Sequence, residues 1–300
     1  MIIFSKINLS QLKKMSLPLY IFSLLLLFLV FVPGIGIKIW GARRWLSLGG
    51  YSIQPSEFTK FTLLLYLSSL FSQEEKRTLK NLLFIALPAF FLIVLEPDFG
   101  TASIIVALCL VIYFISGASI KNLLSLSLLT TILGIFFILF SPYRRKRIIG
   151  LLDPFYDPLG DSYHVYQIVL TLSAGGFFGR GIGESRQKYQ YLPQVTTDSI
   201  MAVVGEELGF LGLTIFTGLL IFLVWLCFKI AKSKENLFAK LIAVGTGSWI
   251  ATQGLVNLSS IAIILPLTGV PFPFISYGGS SLLAIMAAIG LVLNVNKNCK

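Results

Sequence analysis

Apolar runs long enough to cross a lipid bilayer recur along the whole chain, and no other feature restricts its fold as strongly. A hydrocarbon core of about 30 Å takes roughly 17 to 25 helical residues. Eight runs fit or approach that length, with approximate extents 17–36, 58–73, 82–97, 101–118, 122–141, 201–228, 240–265 and 279–295, the second and third being short. Unpaired backbone amides are intolerable in lipid, and the runs lack the two-residue alternation of a barrel, so each is expected to be a helix. Composition agrees: 56% of the 300 residues are hydrophobic and only 12% charged, against roughly one quarter charged in soluble domains. The expected fold is all-α, a polytopic membrane helical bundle of about eight spans with a long extracytoplasmic loop. No internal repeat or low-complexity tract is visible, so residues 1–300 read as one integral membrane domain.

Orientation follows from lysine and arginine. Lys6, Lys13, Lys14, Lys76, Arg77, Lys80, Lys121, Lys229, Lys232, Lys234, Lys240, Lys297 and Lys300 fall on one side of the proposed spans, which should be cytoplasmic. Both termini then lie inside. The formal net charge of +11 is scattered between spans and not gathered in a soluble domain, which argues against nucleic acid and for topology plus anionic membrane lipids. Cys109, Cys227 and Cys299 fall in a span or on the cytoplasmic side, and none forms a metal-type pair with His164, so neither a disulfide nor a structural zinc is expected. The first run follows three lysines as a signal peptide would, but it lacks a small-residue cleavage site and leads into further spans. An uncleaved helix is expected.

Polar, aromatic and glycine residues collect on the opposite face, in residues 40–60, 95–102, 141–200 and 265–281. A loop of about 60 residues is uncommon unless it serves as a lid, a binding surface or a flexible segment. Residues 166–183 read as an interfacial amphipathic helix followed by a glycine turn. Asp198 ends this loop just before the helix expected from Met201. It suits a helix N-cap, and equally a carboxylate at the water–membrane boundary that accepts a proton. Glu206 and Glu207 follow within the span, where acids belong on a bundle interior or a watery cavity, although a purely structural tie serves as well.

Glu57 and Lys60 have the i, i+3 spacing that lets side chains meet on a helix. Within a span such a pair signals a cavity or mutual neutralisation. Arg43 and Arg44, flanked by Trp40 and Trp45, suit an interfacial anchor or donors to phosphate. Pro97, Asp98 and Gly100 read as a turn between spans. "PFPFISYGGSS", with Ser276 and Tyr277, cannot form a regular helix and is a candidate cavity lining. His164, the sole histidine, is expected to be incidental. No nucleophile elbow and no GxxxxGK phosphate loop occurs, which argues against ATP-driven transport by this chain alone.

Four stretches, "GARRWLSLGGYSIQPSEFTK", "LEPDFGTA", "SRQKYQYLPQVTTDSIMAVVGEELGFLG" and "LTGVPFPFISYGGSSLL", together resemble the SEDS family of bacterial cell-wall proteins. "GARRW" and "SRQKYQYLP" look more like its FtsW and SpoVE branch than its RodA branch. The resemblance implies a peptidoglycan glycosyltransferase that polymerises lipid II at the outer face of the bacterial cytoplasmic membrane, with a class B penicillin-binding protein transpeptidase and other divisome proteins as partners. It places the critical aspartate on Asp198, with Thr196 and Ser199 departing from the usual flanking residues, and the acid and lysine of "QPSE..K" on Glu57 and Lys60. Arg43, Arg44, Lys188, Glu206, Ser276 and Tyr277 complete the substrate-binding candidates. No dedicated metal-ligating residues are assigned, but an external divalent cation, Mg²⁺ or Mn²⁺, held by Asp198 and neighbouring groups would help neutralise the diphosphate. The family has ten spans, so the first two are expected to be missing here. A lipid II flippase using the polar residues around Glu57, Lys60 and Glu206, or a non-catalytic division scaffold, are the alternative readings.

Overall fold

The computed structural model describes residues 1–39, 42–140, 142–185 and 193–298. They form ten α-helices: α1 (Leu9–Leu29), α2 (Pro55–Phe71), α3 (Leu79–Leu95), α4 (Phe99–Ile115), α5 (Ile120–Leu139), α6 (Pro142–Leu152), α7 (Tyr163–Gly175), α8 (Ile200–Lys232), α9 (Leu237–Ile261) and α10 (Gly279–Asn298). Eight of these overlap the eight apolar runs, while α6 and α7 lie in the long loop. By length and composition α1, α8 and α10 are able to cross a membrane, with α3, α4 and the first part of α5 as shorter apolar helices. The backbone gathers into two compact units, one of residues 1–127, 223–252 and 279–300, the other of 128–222 and 253–278.

The first unit is built around α2, which packs against α1, α3, α4 and α10. Pro55 opens α2 at a position where its missing amide costs no hydrogen bond. Fourteen of its 17 residues are buried, the pattern of a helix surrounded by other helices. Cross-helix hydrogen bonds supplement this packing: Ser23 and Thr62 hydroxyls meet at 2.7 Å, and the Tyr20 hydroxyl donates to the Ile85 carbonyl of α3 at 2.5 Å. The turn after α3 ends at Asp98, whose carboxylate accepts the Thr101 amide at 3.0 Å and its hydroxyl at 2.9 Å, capping α4.

Two features of this unit depart from the expectation drawn from the sequence. The first helix runs from Leu9 to Leu29, not 17–36. Asn8 caps it by accepting the Ser10 amide at 2.9 Å, and Gly34 adopts φ +90° in the turn that follows. The chain is also not purely helical, because β1 (Gly36–Ile39), β2 (Ala42–Leu48) and β3 (Tyr51–Ile53) form an antiparallel meander. Gly49 and Gly50, at φ +57° and +93°, make the two-residue turn between β2 and β3, a geometry closed to residues with a Cβ except at a cost.

In the second unit α8 is not one unbroken helix. Gly209 has φ +68° and ψ −166°, which interrupts it one turn past Gly205. The break frees backbone groups, and the glycine-rich segment after α7 takes them up. The amides of Arg180 and Gly181 donate to the carbonyls of Glu206 and Glu207 at 3.0 Å each. In return Phe210 and Leu211 donate to Gly176 and Phe177 at 3.0 and 3.2 Å. Only glycine permits the approach: a Cβ on Gly209 would lie 2.4 Å from the Gly179 nitrogen, and one on Gly175 would lie 1.9 Å from the Gly205 carbonyl oxygen. The segment expected to be an interfacial helix and glycine turn therefore serves to dock α7 against α8.

Candidate active site

Asp198 sits at the last bend before α8, half-buried. Its carbonyl, not its carboxylate, is the anchored part. Asn257 of α9 donates one amide group both to the Asp198 carbonyl and to the Val270 carbonyl, at 2.8 Å each. One turn earlier on the same face of α9, Gln253 donates to the Pro271 carbonyl at 3.0 Å. These two amides are 2% and 0% exposed. They hold the irregular 262–278 segment by its backbone, as buried non-helical backbone requires. The Tyr277 amide closes the frame by donating to the Thr196 carbonyl at 2.7 Å.

Within that frame the carboxylate is lightly engaged. Thr197 donates its hydroxyl to Asp198 Oδ1 at 3.0 Å. Among the described residues, no amide in the first turn of α8 donates to the carboxylate, so it does not act as the side-chain N-cap. Oδ2 faces Gly269, where a Cβ would stand 4.0 Å away. Ser276 exchanges hydrogen bonds with Phe272, its Oγ accepting the Phe272 amide at 2.7 Å and its own amide donating to the Phe272 carbonyl at 3.2 Å. The Tyr277 ring is exposed.

Glu206, also in this unit, is fully buried. Ser185 donates its hydroxyl to Oε2 at 2.5 Å and Arg180 approaches Oε1 at 3.7 Å, so the acid is neutralised by the same segment that docks at the α8 break. His164, in the first turn of α7, brings Nε2 to 2.8 Å from Ser199 Oγ. Burial pushes its pKa below the ordinary histidine value; the Asp198 charge opposes that shift and Arg147 adds to it.

Glu57, Lys60, Arg43 and Arg44 belong to the first unit. Glu57 and Lys60 form the expected ion pair at 2.7 Å, 2% and 0% exposed, with the ammonium also 5.2 Å from the Trp249 ring centroid. A buried pair of this kind requires close partners on every side to offset desolvation. Arg44 donates Nε to the Glu96 carbonyl at 2.9 Å and Nη2 to the Pro97 carbonyl at 2.7 Å, fastening β2 to the α3–α4 turn. Arg43 is exposed, with a longer contact of 3.4 Å to the Phe31 carbonyl. Lys188 lies outside the described residues. Among the described residues no three His, Cys, Asp or Glu side chains come together in a way that would hold a metal ion.

Three residues in this frame are not recognisable from sequence as parts of the site. His164 was passed over as incidental. Asn257 and its neighbour Gln253 carried a signal that was legible, since amides four residues apart inside an apolar run share a face and mark a bundle interior.

The family model described as "Cell cycle protein", covering FtsW, RodA and SpoVE, matches residues 1–300. Stage V sporulation protein E of Bacillus subtilis is 40% identical over 278 residues, covering 91% of this chain and 76% of that protein. A probable peptidoglycan glycosyltransferase FtsW of Trichlorobacter lovleyi is 36% identical over 294 residues, 96% of this chain and 77% of that one. Among solved structures, a chain from a peptidoglycan synthase complex that coordinates polymerization and crosslinking superposes with a TM-score of 0.81 at 31% identity, covering 99% of this chain and 85% of that one. The rod shape determining protein RodA of Thermus thermophilus superposes at 0.71 and 29% identity, covering 99% and 82%.

Proposed function

Because the chain belongs to the FtsW, RodA and SpoVE family of cell cycle proteins, and is a multi-pass membrane protein, we propose that it polymerises lipid II with Asp198 as general base. It is a peptidoglycan glycosyltransferase, as its relatives' names and the matching synthase structure support. The observation that carries the residue assignment is the geometry of Asp198: a carboxylate on an anchored backbone, with one oxygen facing a glycine and no capping duty.

In the proposed reaction Asp198 removes the proton from the 4-hydroxyl of the acceptor sugar. The hydroxyl oxygen forms the new bond to the donor's anomeric carbon while the bond from that carbon to the undecaprenyl diphosphate oxygen breaks. The configuration at the donor carbon inverts. The diphosphate departs as an anion and needs no acid, unlike the alkoxide released in glycoside hydrolysis. Base catalysis contributes on the order of 10² to 10⁴ in rate, and alignment of the two sugars supplies more. The substrate's own lipid anchor holds it at the interface.

The other candidates enter as proposals within their own units. Arg43 offers an exposed guanidinium and Lys188 an ammonium for phosphate; Arg44 and the Glu57–Lys60 pair support the backbone near their helix; Glu206, Ser276 and Tyr277 shape the frame of Asp198. A Mg²⁺ or Mn²⁺ ion would be carried by the diphosphate itself, since among the described residues no carboxylate cluster is formed for it, and no step is assigned to it. The proposed partners are a class B penicillin-binding protein transpeptidase and other divisome proteins, with membrane lipids around and both termini cytoplasmic.

The test uses purified protein, labelled lipid II and a transpeptidase partner without polymerase activity. Glycan strands should form with the wild type and fall by about 10² or more with Asp198→Asn. Translocation of the headgroup without strand formation, undiminished in Asp198→Asn, would establish the flippase instead.

A further inference from the structure

We propose that His164 is a positioning residue for the Asp198 base, holding Ser199 through the Nε2–Oγ hydrogen bond. The inference rests on the reading of Asp198 as base and adds to it a residue that sequence gave no reason to choose.

Ser199 is the residue next to the carboxylate and is fully buried. Its amide donates to the Gln194 carbonyl at 3.3 Å and its carbonyl accepts the Ala202 amide at 2.9 Å, so it is the point where the loop becomes α8. The Asp198 carbonyl is already fixed from α9 by Asn257. His164 fixes the following residue from α7 at 2.8 Å. Asp198 is thus held at its own carbonyl and at the residue that follows it, by two neighbours distant in sequence.

The charged groups around the ring set what it does when it titrates. Asp198 faces it from the start of α8 and Arg147 from α6. Arg147 is itself occupied, donating Nη1 to the Leu267 carbonyl. Lys146 and Asp161 pair at 2.7 Å and are both well exposed. The ring also lines a cavity of about 240 Å³ together with Lys146, Arg147 and Asp161. Burial and Arg147 favour the neutral ring. Either neutral tautomer bonds the serine, as donor or as acceptor. Protonation keeps the bond but sets a cation beside Asp198, which stabilises the carboxylate anion and weakens its hold on a proton. Titration of the ring is therefore expected to contribute to loss of rate on acidification.

The experiment measures kcat and KM for lipid II between about pH 5 and 8.5, using the full chain with its transpeptidase partner, for the wild type, His164→Ala, His164→Gln and Asp198→Asn. Glutamine reaches the serine hydroxyl without a titrating charge. Expected are a fall in kcat of about ten-fold or more in His164→Ala, since small misplacements cost up to about 10², and little change in KM. His164→Gln should recover most of that rate, and its acid limb should lie at lower pH than that of the wild type. Wild-type kcat and pH profile in His164→Ala, with Asp198→Asn inert, would overturn the role of His164 alone. Equal losses in His164→Ala and His164→Gln that track lowered thermal stability, with the acid limb unmoved, would overturn it too. Full activity in Asp198→Asn would remove the base on which it rests.

Discussion

Asp198 is held chiefly through its backbone and its sequence neighbours, so a substitution of its carboxylate and a substitution of its supports should behave differently. Asp198→Asn removes the base and leaves the bond from Asn257 to the carbonyl intact, so activity should vanish while thermal stability stays near that of the wild type. Asn257→Leu does the opposite. It leaves the Asp198 and Val270 carbonyls unpaired inside the protein, at about 1–3 kcal/mol for each buried group. The expected outcome is a lowered unfolding midpoint in detergent together with reduced polymerisation, and an unchanged midpoint would mean that Asn257 does not hold the two carbonyls. Glu57 and Lys60 show a different economy: two charges buried at 2% and 0% exposure, and neutral only as a pair.

At the scale of elements, the break in α8 and the glycines after α7 form one device. A continuous helix of 33 residues would satisfy its own backbone, so an interruption inside it is tolerated only where other backbone replaces the lost bonds. The four exchanged hydrogen bonds between residues 176–181 and 206–211 do that. Gly209→Ala places a Cβ 2.4 Å from the Gly179 nitrogen and the Phe177 carbonyl oxygen, at φ +68°. Strain of this kind costs about 1–3 kcal/mol, and the clash must displace the loop besides. Limited proteolysis of Gly209→Ala should cleave within residues 176–185 faster than in the wild type. Equal cleavage rates would mean that the loop is held elsewhere.

At the scale of the whole molecule the claim open to test is orientation. Positive charge assigns both termini to the cytoplasm, which puts the loop carrying Phe178 outside and the α8–α9 connection carrying Ser233 inside. Both positions are exposed. The cysteines at 109 and 227 are buried, so with Cys299 replaced they should not interfere. A membrane-impermeant maleimide applied to cells should label Phe178→Cys and should label Ser233→Cys only after permeabilisation. The reverse pattern would place Asp198 on the cytoplasmic side, away from any outer-face polymerisation.

The eight long helices were legible in the chain because two local requirements suffice: enough apolar length to match a bilayer, and a backbone that must pair with itself there. The Glu57–Lys60 pair was legible for the same reason, since i, i+3 spacing is a property of one helix. The small sheet was not foreseen, although its Gly-Gly turn stood in the sequence, because three short strands carry little pattern beside long apolar runs. What only the tertiary structure decided was the support of Asp198. His164 lies 35 residues from Ser199 and Asn257 lies 59 from Asp198, and the α8 break is taken up by a loop some 30 residues away. Hydrogen bonds across such distances leave no periodicity in a sequence; they depend on how separate helices pack, which is settled only when the chain has folded.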